Sequence, residues 1–204
     1  EAVSAFKSLP KSLLNKDIDW IPFDTFFGKI SFPVKITFND HILERDVILD
    51  TGSRYHMSIN DTYFGGDKEF PQLTIQSAGY SLSGMALHKK ANTPMVEVGS
   101  LKLNNVVTNI IREDEDDFWT LGSALLSQFE IVVDYPNKRL AFIPRKGERF
   151  QSQYNLSGLE LRKLNNGNFI IGYISPDLEA NNLGFSIGEE ISGINGKDAK
   201  NITV

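Results

Sequence analysis

A mainly β, barrel-like fold is predicted by three features of the sequence. FGKISFPVKITF (27–38) alternates apolar and polar residues with a period of two, the signature of a half-buried strand. Short apolar runs recur along most of the chain, separated by Asn, Asp, Gly and Pro. Helical periodicity is confined to one or two short stretches, which leaves a closed β architecture as the way to bury the apolar faces.

Each element follows in order. Residues 1–20 are a mixed lead-in in which SAFKSLPKSLL, interrupted by Pro10, could carry a short helix. Strands begin at Ile21. Asn39-Asp40 supplies a turn, and HILERDVILD returns to end on Asp50. A polar loop with Gly65-Gly66 comes next, then LTIQSAGYSLSGMAL, read as a glycine-bearing hairpin, and the strands TPMVEVG and LKLNNVVTNII. FWTLGSALLSQFEIVVDY reads as strand, glycine, short helix and strand, and Pro136-Asn137 turns the chain into KRLAFIP.

RKGERFQSQYN (145–155) is polar and aperiodic, so a boundary is expected there between a domain at 21–150 and a smaller one at 155–204. Residues 1 to about 150 are expected to fold by themselves. In the second, LELRKL and NFIIGYI flank a turn at Asn165-Asn166-Gly167, and a short helix, PDLEANN, precedes EEISGING.

Composition narrows the function classes. The 204 residues are 41% hydrophobic and 23% charged, ordinary for a protein with a packed core. A net charge of -5 and a pI near 5.3 argue against nucleic-acid binding, which needs a basic face for phosphates. No apolar run is long enough to span a bilayer as a helix. Cysteine is absent, which removes disulfides, thiolate metal sites and cysteine nucleophiles. The chain opens on Glu1 and not Met, as expected of a processed or excised segment.

The chemistry points to VILDTGS (47–53). Val47, Ile48 and Leu49 form a buried strand that delivers Asp50 to a tight turn. An aspartate serves as a base when ionised and as an acid when protonated. Two carboxylates in contact share one proton and so provide both forms. Gly52 lets backbone N–H groups approach the carboxylate, Thr51 offers a hydroxyl to a neighbouring loop, and Ser53 completes the turn. By itself such a turn is commonplace.

VILDTGS, together with WTLGSALLSQFEIVVDYPNKRLAFIP further on, resembles the retropepsin-like aspartic peptidases, especially the bacterial ones, over residues 21–144. The resemblance implies a closed acid-protease barrel and an aspartic-type endopeptidase, a hydrolase of peptide or protein substrates needing no cofactor or metal. It makes Asp50 catalytic and Thr51, Gly52 and Ser53 its loop. Thr120, Leu121 and Gly122 would cross beside that loop, with a short helix from Ser123 to Gln128. A flap would lie in QSAGYSLSGM, with Gly79 and Gly84 as hinges and Tyr80 near its tip.

Only one D-T-G occurs. Asp24-Thr25 and Asp61-Thr62 are followed by Phe and Tyr, and Asp134 falls in the family's closing hairpin. The second aspartate is therefore expected from Asp50 of another copy, making a homodimer. Arg54 and Tyr55, and Ser123 and Ala124, depart from the residues the family usually has there. They leave as the alternative a catalytically silent binding or scaffolding protein on the same fold.

GLELRKLNNGNFIIGYISPDLEANNLGFSIGEEISGINGK resembles the first half of a PDZ domain of the bacterial, protease-associated kind. Leu183-Gly184, Gly188-Glu189-Glu190-Ile191 and Ile194-Asn195-Gly196 carry that likeness. Residues 156–159 would offer amides to a peptide carboxylate. The chain stops before the helix that would form the other groove wall. The missing start methionine and the likeness to PDZ-linked envelope proteases suggest an extracytoplasmic location, periplasmic, cell-envelope or secreted.

Other motifs have simpler readings. Glu113–Asp117 lacks the spacing of a calcium loop, and His41, His56 and His88 lack paired-ligand spacing for zinc. GYSLS (79–83) lacks the closing glycine of a nucleophile elbow. Asn60, Asn155 and Asn201 head N-x-S/T triplets, relevant only in a glycosylating pathway. Trp20 and Trp119 are expected as core aromatics.

Overall fold

The computed structural model describes residues 4–6, 8, 10–14, 17–38, 41–60, 74–81, 84–111, 118–153 and 155–202. The expected turn at Asn39-Asp40, the Gly65-Gly66 loop and the acidic run 113–117 lie outside the described residues. In chain order the elements are α1 (Lys11–Leu14), β1 (Ile21–Pro22), β2 (Asp24–Phe26), β3 (Lys29–Phe38), β4 (His41–Asp50) and β5 (Met57–Asn60). β6 (Ile75–Ser81), β7 (Gly84–Val98), β8 (Leu101–Ile111), β9 (Thr120–Gly122) and α2 (Ser123–Leu126) follow, then β10 (Phe129–Asp134) and β11 (Arg139–Pro144). The C-terminal elements are β12 (Leu159–Lys163), β13 (Phe169–Ile174), β14 (Glu190–Ile191), β15 (Gly193–Ile194) and β16 (Lys197–Asp198). The protein is mainly β, as the sequence predicts.

The chain divides into two compact units: residues 1–73 with 91–153, and residues 74–90 with 154–204. The hairpin at 74–90 thus groups with the C-terminal unit, although the sequence places it inside the first domain.

In the first unit β3, β4, β9, β5, β8 and β7 follow one another as neighbours, and β7 pairs back onto β3 at Lys35–Thr37, which closes a barrel. The alternation read in the sequence is what β3 shows: Ile30, Phe32, Val34, Ile36 and Phe38 are buried, with the residues between them more exposed. Val47, Met57, Ile59, Leu121 and Trp119 fill the same core. Trp119 is a core aromatic as expected, whereas Trp20 is only half-buried beneath the Arg139 guanidinium, 4.3 Å from its ring centroid. A second sheet, β1-β11-β10, packs Ile21, Phe129, Leu140 and Phe142 into that core. α2 ends at Leu126, and Ser127 and Gln128, expected as helix, form the turn after it.

The second unit contains the antiparallel β12-β13-β14 sheet and the small β15-β16 hairpin. Asn195 (φ 50°) and Gly196 (φ 75°) turn β15 into β16, where an Asn-Gly pair suits two left-handed positions. The predicted PDLEANN helix is a single 3-10 turn at Glu179–Asn182. β6 pairs with the first half of β7, from Ile75 opposite Lys90 to Ser81 opposite Gly84.

Candidate active site

Asp50 is the last residue of β4, half-buried, where the strand leaves the barrel wall. Its Oδ1 accepts hydrogen bonds from the N–H of Gly52 at 3.0 Å and of Ser53 at 3.2 Å. A carboxylate bonded by its own turn in this way is fixed in rotamer. Among the described residues its Oδ2 accepts none. A Cβ on Gly52 would lie 3.3 Å from Oδ1, so the glycine keeps the space through which the loop amides reach the carboxylate.

The second motif meets this loop. β9 runs parallel to β4 with Thr120 opposite Ile48, Leu121 opposite Leu49 and Gly122 opposite Asp50. The Gly122 N–H donates to the His56 carbonyl at 2.9 Å, and the Ala124 N–H to that of Tyr55 at 3.3 Å. Both the N–H and the Oγ of Ser123 donate to the Ser53 carbonyl, each at 2.7 Å. A Cβ on Gly122 would collide with the Tyr55 carbonyl oxygen and lie 2.9 Å from the carbonyl oxygen and Oγ of Ser53. Gly122 is therefore required by contact with backbone, which has little room to move.

Asp24 and Asp134 are occupied elsewhere. Asp24 pairs with Lys138 at 3.0 Å, and Asp134 pairs with Arg139 at 2.8 Å and binds the Asn137 amide. The Lys138 hydrogen bond holds the Asp24 carboxyl below its usual range; Asn137 and then Arg139 do the same for Asp134. Asp61 lies outside the described residues. Thr51 and Arg54 are exposed, and the Arg54 guanidinium sits 5.6 Å from the Tyr55 ring centroid. A groove of about 440 Å³ lined by Trp20, Pro33, Lys35, Glu44 and Glu97 does not include Asp50. Glu44 and Asp50 are six residues apart on β4, roughly 20 Å of strand. A cleft made by two copies would not exist in one.

Sequence reasoning passed over an aromatic cluster at this end of the barrel. Ser31 pairs with Ile48, so the turn entering β3 lies at the Asp50 end of the ladder. That turn is Phe27-Gly28, with φ 48° and 74°, where Asn-Gly or Asp-Gly is usual. Phe27 is 85% exposed and Phe26 45%. The Phe26 ring lies 4.6 Å from Phe27 and 5.3 Å from Phe118, centroid to centroid. A bulky residue held at positive φ and left in solvent costs about 1–3 kcal/mol, and such strain collects at functional sites. The Phe-Phe-Gly run between two strands was the signal.

The residues expected as a flap lie in the second unit. Gly79 is buried in the middle of β6, and Gly84, at φ 111°, opens β7. Tyr80 pairs with Met85 across the hairpin. Two of the amides expected to receive a peptide carboxylate are used locally. The Ser157 N–H donates to Asn155 Oδ1 at 3.1 Å, and the Leu159 N–H to Ser157 Oγ at 3.2 Å.

No family model matches the chain, and no curated protein does. Among solved structures it is similar to a retropepsin-like aspartic protease from Rickettsia conorii, at 16% identity and a TM-score of 0.45, over 62% of this chain and 91% of that one. Likeness at that level decides nothing about chemistry. Among the described residues no helix is long and apolar enough to cross a membrane.

Proposed function

We propose that the protein is an aspartic endopeptidase in which Asp50 of two copies forms the catalytic pair. The observation that carries this reading is the locked loop: Asp50 Oδ1 is held by two amides, and Gly122 packs where no Cβ fits. Such a loop presents Oδ2 in one orientation, and a two-fold axis would bring it against its symmetry mate. Thr51, exposed beside it, would contribute to that interface.

At contact distance the two carboxylates hold one proton between them. The ionised one takes a proton from water as the water oxygen bonds to the scissile carbonyl carbon, and the protonated one gives its proton to the carbonyl oxygen. The C–N bond then breaks, with a proton passing to the leaving nitrogen, and a free carboxylate and amine result. Phe26, Phe27 and Phe118 would receive an apolar substrate side chain. The hairpin of β6 and β7 serves as the flap.

Hydrolysis of fluorescein-labelled casein by the purified chain, followed across a wide concentration range alongside sedimentation, tests the proposal. Specific activity is expected to fall on dilution as dimers dissociate. Asp50→Asn is expected to lose at least about a hundredfold in rate, since an amide cannot share the proton. Undiminished hydrolysis by Asp50→Asn, or full activity from a rigorously monomeric species, overturns it.

A further inference from the structure

We propose that Glu160 is a positioning residue that clamps the β6–β7 hairpin onto the C-terminal unit. Where the hairpin acts as the flap, Glu160 thereby sets how tightly substrate is held. This second clause rests on the peptidase reading above; the clamp itself does not.

One carboxylate oxygen staples both strands of the hairpin. Glu160 Oε1, on β12, accepts from Ser77 Oγ of β6 at 2.6 Å and from Lys90 Nζ of β7 at 2.8 Å. The Lys90 and Glu160 side chains are only 13% and 17% exposed, so this pair is largely withdrawn from water. Removing one partner of such a pair weakens the compensation of the other charge, which is more disruptive than losing a surface ion pair.

A second set of contacts grips the neighbouring residue. The Gln76 N–H donates to Asp177 Oδ2 at 2.6 Å, its carbonyl accepts from Ser175 Oγ at 2.8 Å, and its Oε1 accepts from the Tyr173 hydroxyl at 2.7 Å. Backbone donor, backbone acceptor and side chain of one residue are thus all bound from the stretch 173–177. β6 ends its sheet, and its free edge at Gln76 is met by these side chains in place of another strand. The contacts join residues 70 to 101 positions apart, so the hairpin depends on a segment distant in sequence. The C-terminal segment is therefore the hairpin's mount, and a chain ending near residue 150 would leave Lys90 and Ser77 without Glu160.

Amide hydrogen exchange on the full chain reads the clamp without reference to activity. Glu160→Gln is expected to speed exchange across 75–81 and 84–90 by about tenfold or more, with 47–53 and 120–124 unchanged. Ser77→Ala, which cuts the link to one strand only, is expected to give a smaller increase confined to the same residues. It also decides the matter if Glu160→Gln unfolds the C-terminal unit. Unchanged hairpin exchange in Ser77→Ala, with Glu160→Gln either unchanged or unfolded, overturns the clamp.

Casein hydrolysis reads the second clause. Glu160→Gln is expected to raise KM by about tenfold with kcat within about twofold, and to leave the pH profile unshifted, because Asp50 is untouched. Loosened exchange with an unchanged KM overturns the positioning role. If the unmodified protein cleaves nothing, the peptidase reading fails, and exchange alone still decides whether Glu160 clamps the hairpin.

Discussion

The two regions that the sequence marks as functional are held in different ways. The Asp50 loop is fixed mainly by main-chain groups: the N–H groups of Gly52 and Ser53 on the carboxylate, and those of Gly122, Ser123 and Ala124 on the carbonyls of His56, Ser53 and Tyr55. The β6–β7 hairpin is fixed to its unit by the side chains of Glu160, Tyr173, Ser175 and Asp177. Main-chain bonds survive most substitutions and fail where a Cβ cannot fit or a proline removes the N–H. Side-chain bonds fail one residue at a time and can be tuned by charge. The first arrangement suits a group that must hold one geometry, and the second leaves the hairpin's attachment open to change one side chain at a time.

The sharpest way to break this comparison is Gly122→Ala. Its Cβ meets the Tyr55 and Ser53 carbonyls, the same groups that accept from Ala124 and Ser123. Overpacking against backbone costs typically 1–3 kcal/mol, and each lost bond adds about 1. A loss on the order of 3 kcal/mol or more is expected, a large share of the stability of a typical domain. Urea unfolding checks it, and a cost below about 1 kcal/mol would mean that the loop is not held as described.

The loop also has a titratable member. The His56 ring is half-buried, edge-on to Phe150 with centroids 6.2 Å apart. Burial lowers its pKa below the ordinary 6.5, a hydrogen bond with the Gln151 backbone opposing this more weakly. The unfolded chain therefore takes up a proton before the native one does. The stability contributed by the neutral ring is complete above pH 6.5, and it is lost as pH falls below 6.5 toward the lowered native value. His56→Gln is expected to flatten the decline of Tm in that window. An equal slope in both proteins would place the acid sensitivity elsewhere.

Much of the barrel was legible because its physics is local. The alternation in β3 and the apolar run into Asp50 each reflect burial that neighbouring residues share. The meeting of Asp50 and Gly122 was legible only through a family resemblance. Nothing in the spacing of two motifs 72 positions apart (122 − 50) dictates a parallel pairing. The grouping of 74–90 with the C-terminal unit was not legible, since Gln76, Ser77 and Lys90 look like ordinary surface residues until Glu160 and Tyr173 are beside them. The Phe27 turn was readable but was passed over, because an aromatic in a left-handed turn position runs against the usual preference.

The mildest test sets two serines against each other. Ser123 Oγ donates to the Ser53 carbonyl, but the Ser123 N–H bonds the same oxygen at 2.7 Å. Ser123→Ala therefore leaves that carbonyl satisfied, and the substitution also favours α2 by a few tenths of a kcal/mol. A net loss of about 0.5–1 kcal/mol is expected. Ser77 Oγ donates to a carboxylate that is mostly withdrawn from water, and bonds to charged groups contribute about 1.5–3 kcal/mol. Ser77→Ala should cost more than Ser123→Ala, although each removes one hydroxyl. Urea unfolding of both variants against the unmodified chain measures the difference. Equal losses, or a larger loss for Ser123→Ala, would remove the distinction, because the loop would then depend on its side chains as much as the hairpin does.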